Sequence, residues 1–218
     1  MTTTVLVDDH PLLREGLRDF INAQDGLTVS GIAGSVQDAL FVVGSKKPDL
    51  VITDLTLPGR NGLELIKDLC ASHPDIPVIV LSMHDEMIYA ERVLRAGGRG
   101  YVMKDAVPER LLEAIRIVIG GGVFASQTVT KHFLKALSNG KGPSRPSFPL
   151  ERLTDRELEV FELIGQAKSN QEIASKLGIS PRTLDAHRAH IRVKLDLCES
   201  NELTRYAIRW VEVGMISR

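Results

Sequence analysis

The 218-residue chain is poor in cysteine. Cys70 and Cys198 are the only two. They lie far apart, form no metal-spaced motif, and read as reduced core thiols of a cytosolic protein. Net charge is also missing. The 27 Lys+Arg against 28 Asp+Glu leave −1, so no global field draws the chain to nucleic acid or to an anionic membrane. Any such site must be a local patch. No uninterrupted apolar run reaches membrane-spanning length. Met1-Thr2-Thr3-Thr4 lacks the basic and long apolar segments of a signal peptide, and no internal repeat is visible. What is present is ordinary for a soluble globular protein, with 43% hydrophobic and 25% charged residues. The length allows one large domain or two small ones.

The stretch around which the first half is organised is Leu50-Val51-Ile52-Thr53-Asp54-Leu55-Thr56-Leu57-Pro58-Gly59. An apolar, β-branched run stops at a carboxylate, and Pro58-Gly59 then breaks the chain. Similar short strands read at Val5–Val7, Leu27–Ile32, Pro77–Ser82 and Gly100–Met103. Helical spacing follows each one, from Pro11, Ser35, Gly62, Ile88 and Pro108. Strand and helix alternate five times. That predicts a doubly wound α/β unit with a parallel sheet, in the flavodoxin-like order 2-1-3-4-5.

In that order the strand ends share one edge, where open α/β sheets place their ligand sites. Asp8 and Asp9 end the first strand, Asp54 the third and Ser82 the fourth, and Lys104 stands just past the fifth. Taken singly, Asp54 is a turn aspartate, Ser82 a strand end and Lys104 a loop lysine. Taken together, the three acids would repel unless a hard cation joined them, and Mg2+ with oxygen ligands suits that role. Asp54 is then a candidate nucleophile for an aspartyl-phosphate. Lys104 would contact a phosphoryl oxygen as a point charge, and Ser82 would donate a hydrogen bond to another.

After the glycine run at 120–122, Ser126 reads as the cap of a short helix with Val129, Phe133 and Leu137 on one face. Residues 138–147, rich in Gly, Pro and Ser, read as a tether. From Leu153 the pattern is wholly helical. Thr154 with Glu157 and Ser169 with Glu172 are capping-box signatures. Gly178 suits a left-handed helix exit, and Ser180-Pro181 starts the next helix. Two short helices joined this way match a helix-turn-helix. On a helical wheel Leu184, Ile191 and Leu195 face inward, while Arg182, Ala186, Ala189, His190 and Val193 face away. Asp185 and Arg192 lie to one side and Arg188 near the other edge. Small residues beside arginines suit a major groove, with Arg188, Arg192 and Lys194 placed for phosphates. A solvated polar face fits the wheel equally well.

The residues Asp8-Asp9, Asp54 before its Leu-Pro-Gly turn, Ser82, Tyr101 and Lys104 resemble the receiver domain of bacterial two-component response regulators. Residues 150–212 resemble the LuxR-type DNA-binding domain through Leu153-Thr154-Asp155-Arg156-Glu157, Ser169 to Ala174, and Ser180 to Leu184 with His187. Joined, the two resemble the NarL/FixJ subfamily. The resemblance implies a sensor histidine kinase as donor to Asp54. It implies Mg2+ held by Asp8, Asp9, Asp54 and the Thr56 carbonyl, with Ser82, Tyr101 and Lys104 as switch residues. It also implies double-stranded DNA read by the helix carrying Arg182, Thr183, Asp185, Ala186, His187, Arg188, Ala189, His190, Arg192 and Lys194. Two positions depart from the pattern. Asp105 stands where many receivers have proline, and Asp185 stands where lysine is common.

The expected organisation is a receiver over residues 1–122, a linker helix and tether over 123–150, and a helix-turn-helix domain over 151–218. From residue 150 onward 11 Lys/Arg meet 11 Asp/Glu, so a monomer should bind DNA modestly and depend on a phosphorylated homodimer. Leu203, Tyr206 and Trp210 are the candidate dimer face; alternatively they fill a small core. The expected function is a cytoplasmic transcription factor switched by phosphate, not an enzyme and not membrane-bound. The rivals are an acid-cluster phosphatase or phosphotransferase, and a receiver-based interaction module that never binds DNA.

Overall fold

The structure, a computed structural model, describes residues 1–106, 108–138 and 149–216. The expected tether lies outside them, apart from Ser138. So do the side chains of Phe133 and Leu137 on the linker helix. The chain divides into two compact units, Met1–Lys135 and Ala136–Arg218.

The first unit alternates strand and helix as its pattern predicts. The strands are β1 (Thr2–Val7), β2 (Leu27–Ala33), β3 (Leu50–Thr53), β4 (Val78–Ser82) and β5 (Gly100–Met103). The helices are α1 (Pro11–Asn22), α2 (Val36–Lys46), α3 (Gly62–Ser72), α4 (Glu86–Arg95) and α5 (Glu109–Ile119). All neighbouring strands are parallel, in the order β2-β1-β3-β4-β5. Strand side chains alternate between faces. Leu6, Ile52, Ile79, Leu81 and Val102 meet Leu17 and Ile21 of α1 and Leu111, Ala114, Ile115 and Val118 of α5 on one side. The intervening Val5, Val7, Val51, Val78, Val80 and Tyr101 are equally buried. Helix starts use local caps, as at Ser35, where Oγ accepts from the Asp38 amide at 3.1 Å. β1 begins three residues earlier than the apolar pattern indicates, because Thr2 and Thr3 pair with Leu27 and Thr28.

The unit continues past residue 122. Phe124 packs into the core beside α5. Its amide donates to Arg99 O at 2.9 Å, and its carbonyl accepts from Tyr101 N at 3.1 Å. The next helix, α6 (Gln127–Ser138), starts at Ser126, whose Oγ accepts from the Val129 amide. That hydroxyl also donates to Glu86 Oε1 at the start of α4, at 2.6 Å.

The second unit holds α7 (Asp155–Gly165), α8 (Asn170–Leu177), α9 (Pro181–Lys194) and α10 (Ser200–Ile216). Both capping boxes are formed, Thr154 with Glu157 and Ser169 with Glu172. Gly178 ends α8 at φ +62°, a left-handed exit that suits glycine. The core is Leu158, Phe161, Ile164, Ile173, Leu184, Ile191, Leu203 and Ala207. A Cβ on Gly165 would stand 2.5 Å from Ala207 O, so α7 and α10 cross at backbone contact. Cys198 is exposed, contrary to the expectation of a core thiol, because it falls in the loop between α9 and α10.

Candidate functional site

β1 and β3 are neighbours, with Val7 opposite Thr53. The residues that follow, Asp8 and Asp54, therefore leave the same sheet edge side by side. Their amides extend the ladder, Asp54 N to Val7 O at 2.8 Å and Asp8 N to Ala33 O at 3.1 Å, and this fixes where both side chains start. Lys104 leaves β5 in a short 3-10 turn (Lys104–Ala106). Its Nζ donates to Asp8 Oδ2 at 2.7 Å and to Asp54 Oδ2 at 2.8 Å. All three side chains are at most 8% exposed. The Leu55 amide donates to Asp54 Oδ1 at 2.6 Å, and the Thr56 amide also donates to this carboxylate.

Asp9 lies on the open side of the cluster. His10 Nδ1 stands 2.8 Å from Asp9 Oδ1 and 3.1 Å from Asp8 Oδ1. The ligating atoms of Asp8, Asp9, His10 and Asp54 all lie within 4.8 Å of one another. Burial pushes Asp54 above the ordinary carboxylate range; Lys104 opposes the rise and Asp8 adds to it. Burial works to lower Lys104, but the Asp54 and Asp8 carboxylates outweigh it and hold the ammonium above its ordinary value. Three carboxylates against one ammonium leave the cluster net negative. A hard, oxygen-rich donor set of that charge fits Mg2+.

The loop after β4 is tied to the same edge. Ser82 is fully buried, and its Oγ accepts from the His84 amide at 3.2 Å. Tyr101 is buried and donates from its hydroxyl to His84 O at 2.7 Å. The His84 ring meets Thr56 Oγ1 at 2.9 Å and lies 4.9 Å from the Tyr89 ring. So the expected Asp8, Asp9, Asp54, Thr56, Ser82, Tyr101 and Lys104 all gather at one sheet edge. Two contributors escape a reading of the sequence. His84 looks like any loop histidine, although its place two residues after Ser82 is a signal. Gly62 looks like an ordinary helix start, yet a Cβ there would stand 2.2 Å from Asp54 O.

In the second unit α9 buries Leu184 and Ile191, and Leu195, just past its end, is buried too, as the wheel indicates. Arg182, Thr183, Asp185, Ala186 and His190 are exposed, and Val193 is 75% exposed. Ala189 and Arg192 are half-buried. So is Arg188, whose Nη1 donates to Asn170 Oδ1 of α8 at 3.2 Å. Two of the residues expected to contact DNA have surroundings within the unit. Lys194 Nζ donates to buried Glu157 Oε2 of α7 at 2.6 Å. His187 is half-buried; burial and the charge of Arg156 hold its imidazole below its ordinary value. The wheel gives the angle of each residue but not where α7 stands. The residues expected at a dimer face differ in exposure. Leu203 is fully buried, and Tyr206 packs edge-on against Phe161 at 5.7 Å. Leu203 belongs to the core, and Tyr206 and Trp210 are half-buried.

Residues 4–116 match the family model for the response regulator receiver domain, and residues 151–207 match that for bacterial regulatory proteins of the luxR family. The oxygen regulatory protein NreC of Staphylococcus carnosus is 36% identical over 208 residues, covering 94% of this chain and 96% of NreC. A two-component response regulator of the LuxR family from Aurantimonas sp. SI85-9A1 superposes with a TM-score of 0.59 at 30% identity. It covers 63% of this chain and 99% of that one. RcsB of Salmonella enterica serovar Typhimurium, solved bound to a promoter in the presence of the phosphomimetic BeF3-, superposes with a TM-score of 0.68 at 25% identity. It covers 94% of this chain and 98% of that one.

Proposed function

The chain belongs to the NarL/FixJ subfamily of two-component response regulators, and from that premise we propose that Asp54 is the phosphoryl acceptor that switches its binding to DNA. The family consists of DNA-binding transcriptional regulators and not of enzymes, so the phosphatase alternative is set aside. The observation that carries the proposal is the double contact of Lys104 with Asp8 and Asp54 on a buried sheet edge.

Asp8, Asp9, Asp54 and the Thr56 carbonyl would hold Mg2+, which offsets charge on a transferring phosphoryl group. Asp54 Oδ2 attacks the phosphorus of a kinase phosphohistidine. The P–N bond breaks, and its electron pair returns to the imidazole nitrogen. Lys104 releases Oδ2 and follows the phosphoryl oxygen as a point charge. Ser82 Oγ, which accepts from the His84 amide in the structure, donates to a second phosphoryl oxygen. The loop at His84 then repacks around Tyr101. This shifts a pre-existing equilibrium rather than creating a new fold. The second unit reads double-stranded DNA through the exposed face of α9. A homodimer places two such helices on half-sites about one helical turn apart. No helix among the described residues is long and apolar enough to cross a membrane.

Acetyl phosphate with Mg2+ tests the assignment. Intact mass should show one added phosphoryl group on the parent chain and none on Asp54→Asn or in excess EDTA. A phosphoryl group still carried by Asp54→Asn would move the acceptor elsewhere.

A further inference from the structure

Arg14 is a cation beside the acid cluster that has no counter-ion among the described residues. It stands one turn into α1, and its Nη1 donates to the backbone carbonyl of Asp8 at 2.8 Å. Among the described residues this is the side chain's one hydrogen bond, and it forms no ion pair. Its Nε is buried without a partner. A buried donor left unmatched costs stability and calls for a reason. The side chain also lines a cavity of about 10 Å³, whose other walls include Asp8, Thr53 and Asp54. Gly34 leaves room for the guanidinium, since a Cβ there would stand 3.0 Å from Nη1.

Besides the His10 ring at Oδ1, three donors hold Asp8. Lys104 Nζ takes Oδ2, the His10 amide donates to Oδ1 at 2.8 Å, and Arg14 takes the carbonyl. The first two act on the carboxylate, which the cation site itself needs. On the main chain the ladder bond to Ala33 O holds the Asp8 amide, and among the described residues Arg14 is the one side chain that holds its carbonyl. We propose that Arg14 is a positioning residue of the phosphoacceptor site, clamping the Asp8 backbone so that Asp8 and Asp9 still converge on Asp54 after Lys104 has moved. This rests on the reading that these acids hold Mg2+. A lysine is a poor substitute, because a single rotatable ammonium lacks the rigid planar fork of arginine.

The sign of the effect separates this role from plain charge. An added cation near an acid cluster repels Mg2+, so removing it should tighten binding if charge were all that mattered. Loss of a clamp should weaken it. Calorimetric titration of Mg2+ into the unphosphorylated full chain tests this, with Arg14→Met, Arg14→Lys and Asp9→Asn beside the parent. We expect Arg14→Met to raise the Mg2+ dissociation constant about 10-fold, the low end for losing a ligand-orienting partner, with Arg14→Lys in between. With acetyl phosphate, the Mg2+ concentration for half-maximal phosphorylation should rise while the rate at saturating Mg2+ stays near the parent's. An unchanged or lower dissociation constant in Arg14→Met overturns the proposal. If that variant does not fold, Arg14→Lys decides alone: weaker Mg2+ binding supports the clamp and parent-like binding overturns it. If Asp9→Asn binds Mg2+ like the parent, the acid-cluster reading fails and the clamp falls with it. If Asp9 matters and Arg14 does not, only the clamp is lost.

Discussion

A single methyl group at position 62 would reach the backbone of Asp54. Gly62 donates its amide to Leu55 O at 2.8 Å, and its Cα lies where a Cβ would press on Asp54 O and Leu55 Cα. That Cβ meets backbone, which cannot swing aside as a side chain can. Gly62→Ala should cost about 1–3 kcal/mol by overpacking and slow phosphorylation by acetyl phosphate. Calorimetric melting of the full chain checks the first, and a parent-like melting temperature would refute it. At this scale the sequence is legible where a polar residue ends an apolar strand. Asp54, Ser82 and Lys104 each announce themselves so. It is silent on Gly62 and Arg14, because each touches the backbone of the loop just before its own helix, Leu55 and Asp8, and only the folded path of that loop sets the contact.

Helices announce their ends more clearly than their neighbours. Ser35, Ser126, Thr154, Ser169 and Ser180 cap as their spacing indicates, since capping is settled within four residues. The link between α7 and α9 is not local. Glu157 is visible as half of a capping box, but its burial and its bond to Lys194 appear only when the helices pack. Burial works to raise the Glu157 carboxyl, but Lys194 and Thr154 outweigh it and hold it below its ordinary value of 4.5. A carboxyl lowered on folding adds stability above its unfolded value and loses it as pH falls through the folded one. The second unit should therefore weaken as the medium drops below pH 4.5, and Glu157→Gln should flatten that loss. Lys194→Met, which leaves the carboxylate with the Thr154 amide but without its ammonium, should cost about 1–3 kcal/mol near neutral pH. Trp210, the chain's one tryptophan, reports on α10 by fluorescence; pH profiles that coincide for Glu157→Gln and parent would remove Glu157 as the cause.

For the molecule as a whole, balanced charge decides how DNA is held. With 11 basic and 11 acidic residues from residue 150 on, backbone attraction is weak per copy and a few arginines must carry it. Arg188→Ala should weaken binding to all sites alike and reduce the salt slope by about one. Filter binding across a salt series measures it, and an unaltered slope would take Arg188 off the phosphates. How copies of the chain can meet is constrained by Phe124. A bare sheet margin offers its amides and carbonyls to any strand that drifts by, and proteins extend one another's sheets that way. Here the chain's own continuation occupies the outer side of β5 at Arg99 and Tyr101. Self-association by adding strand to strand is closed off there, leaving helix faces and side chains as the available contacts at that end.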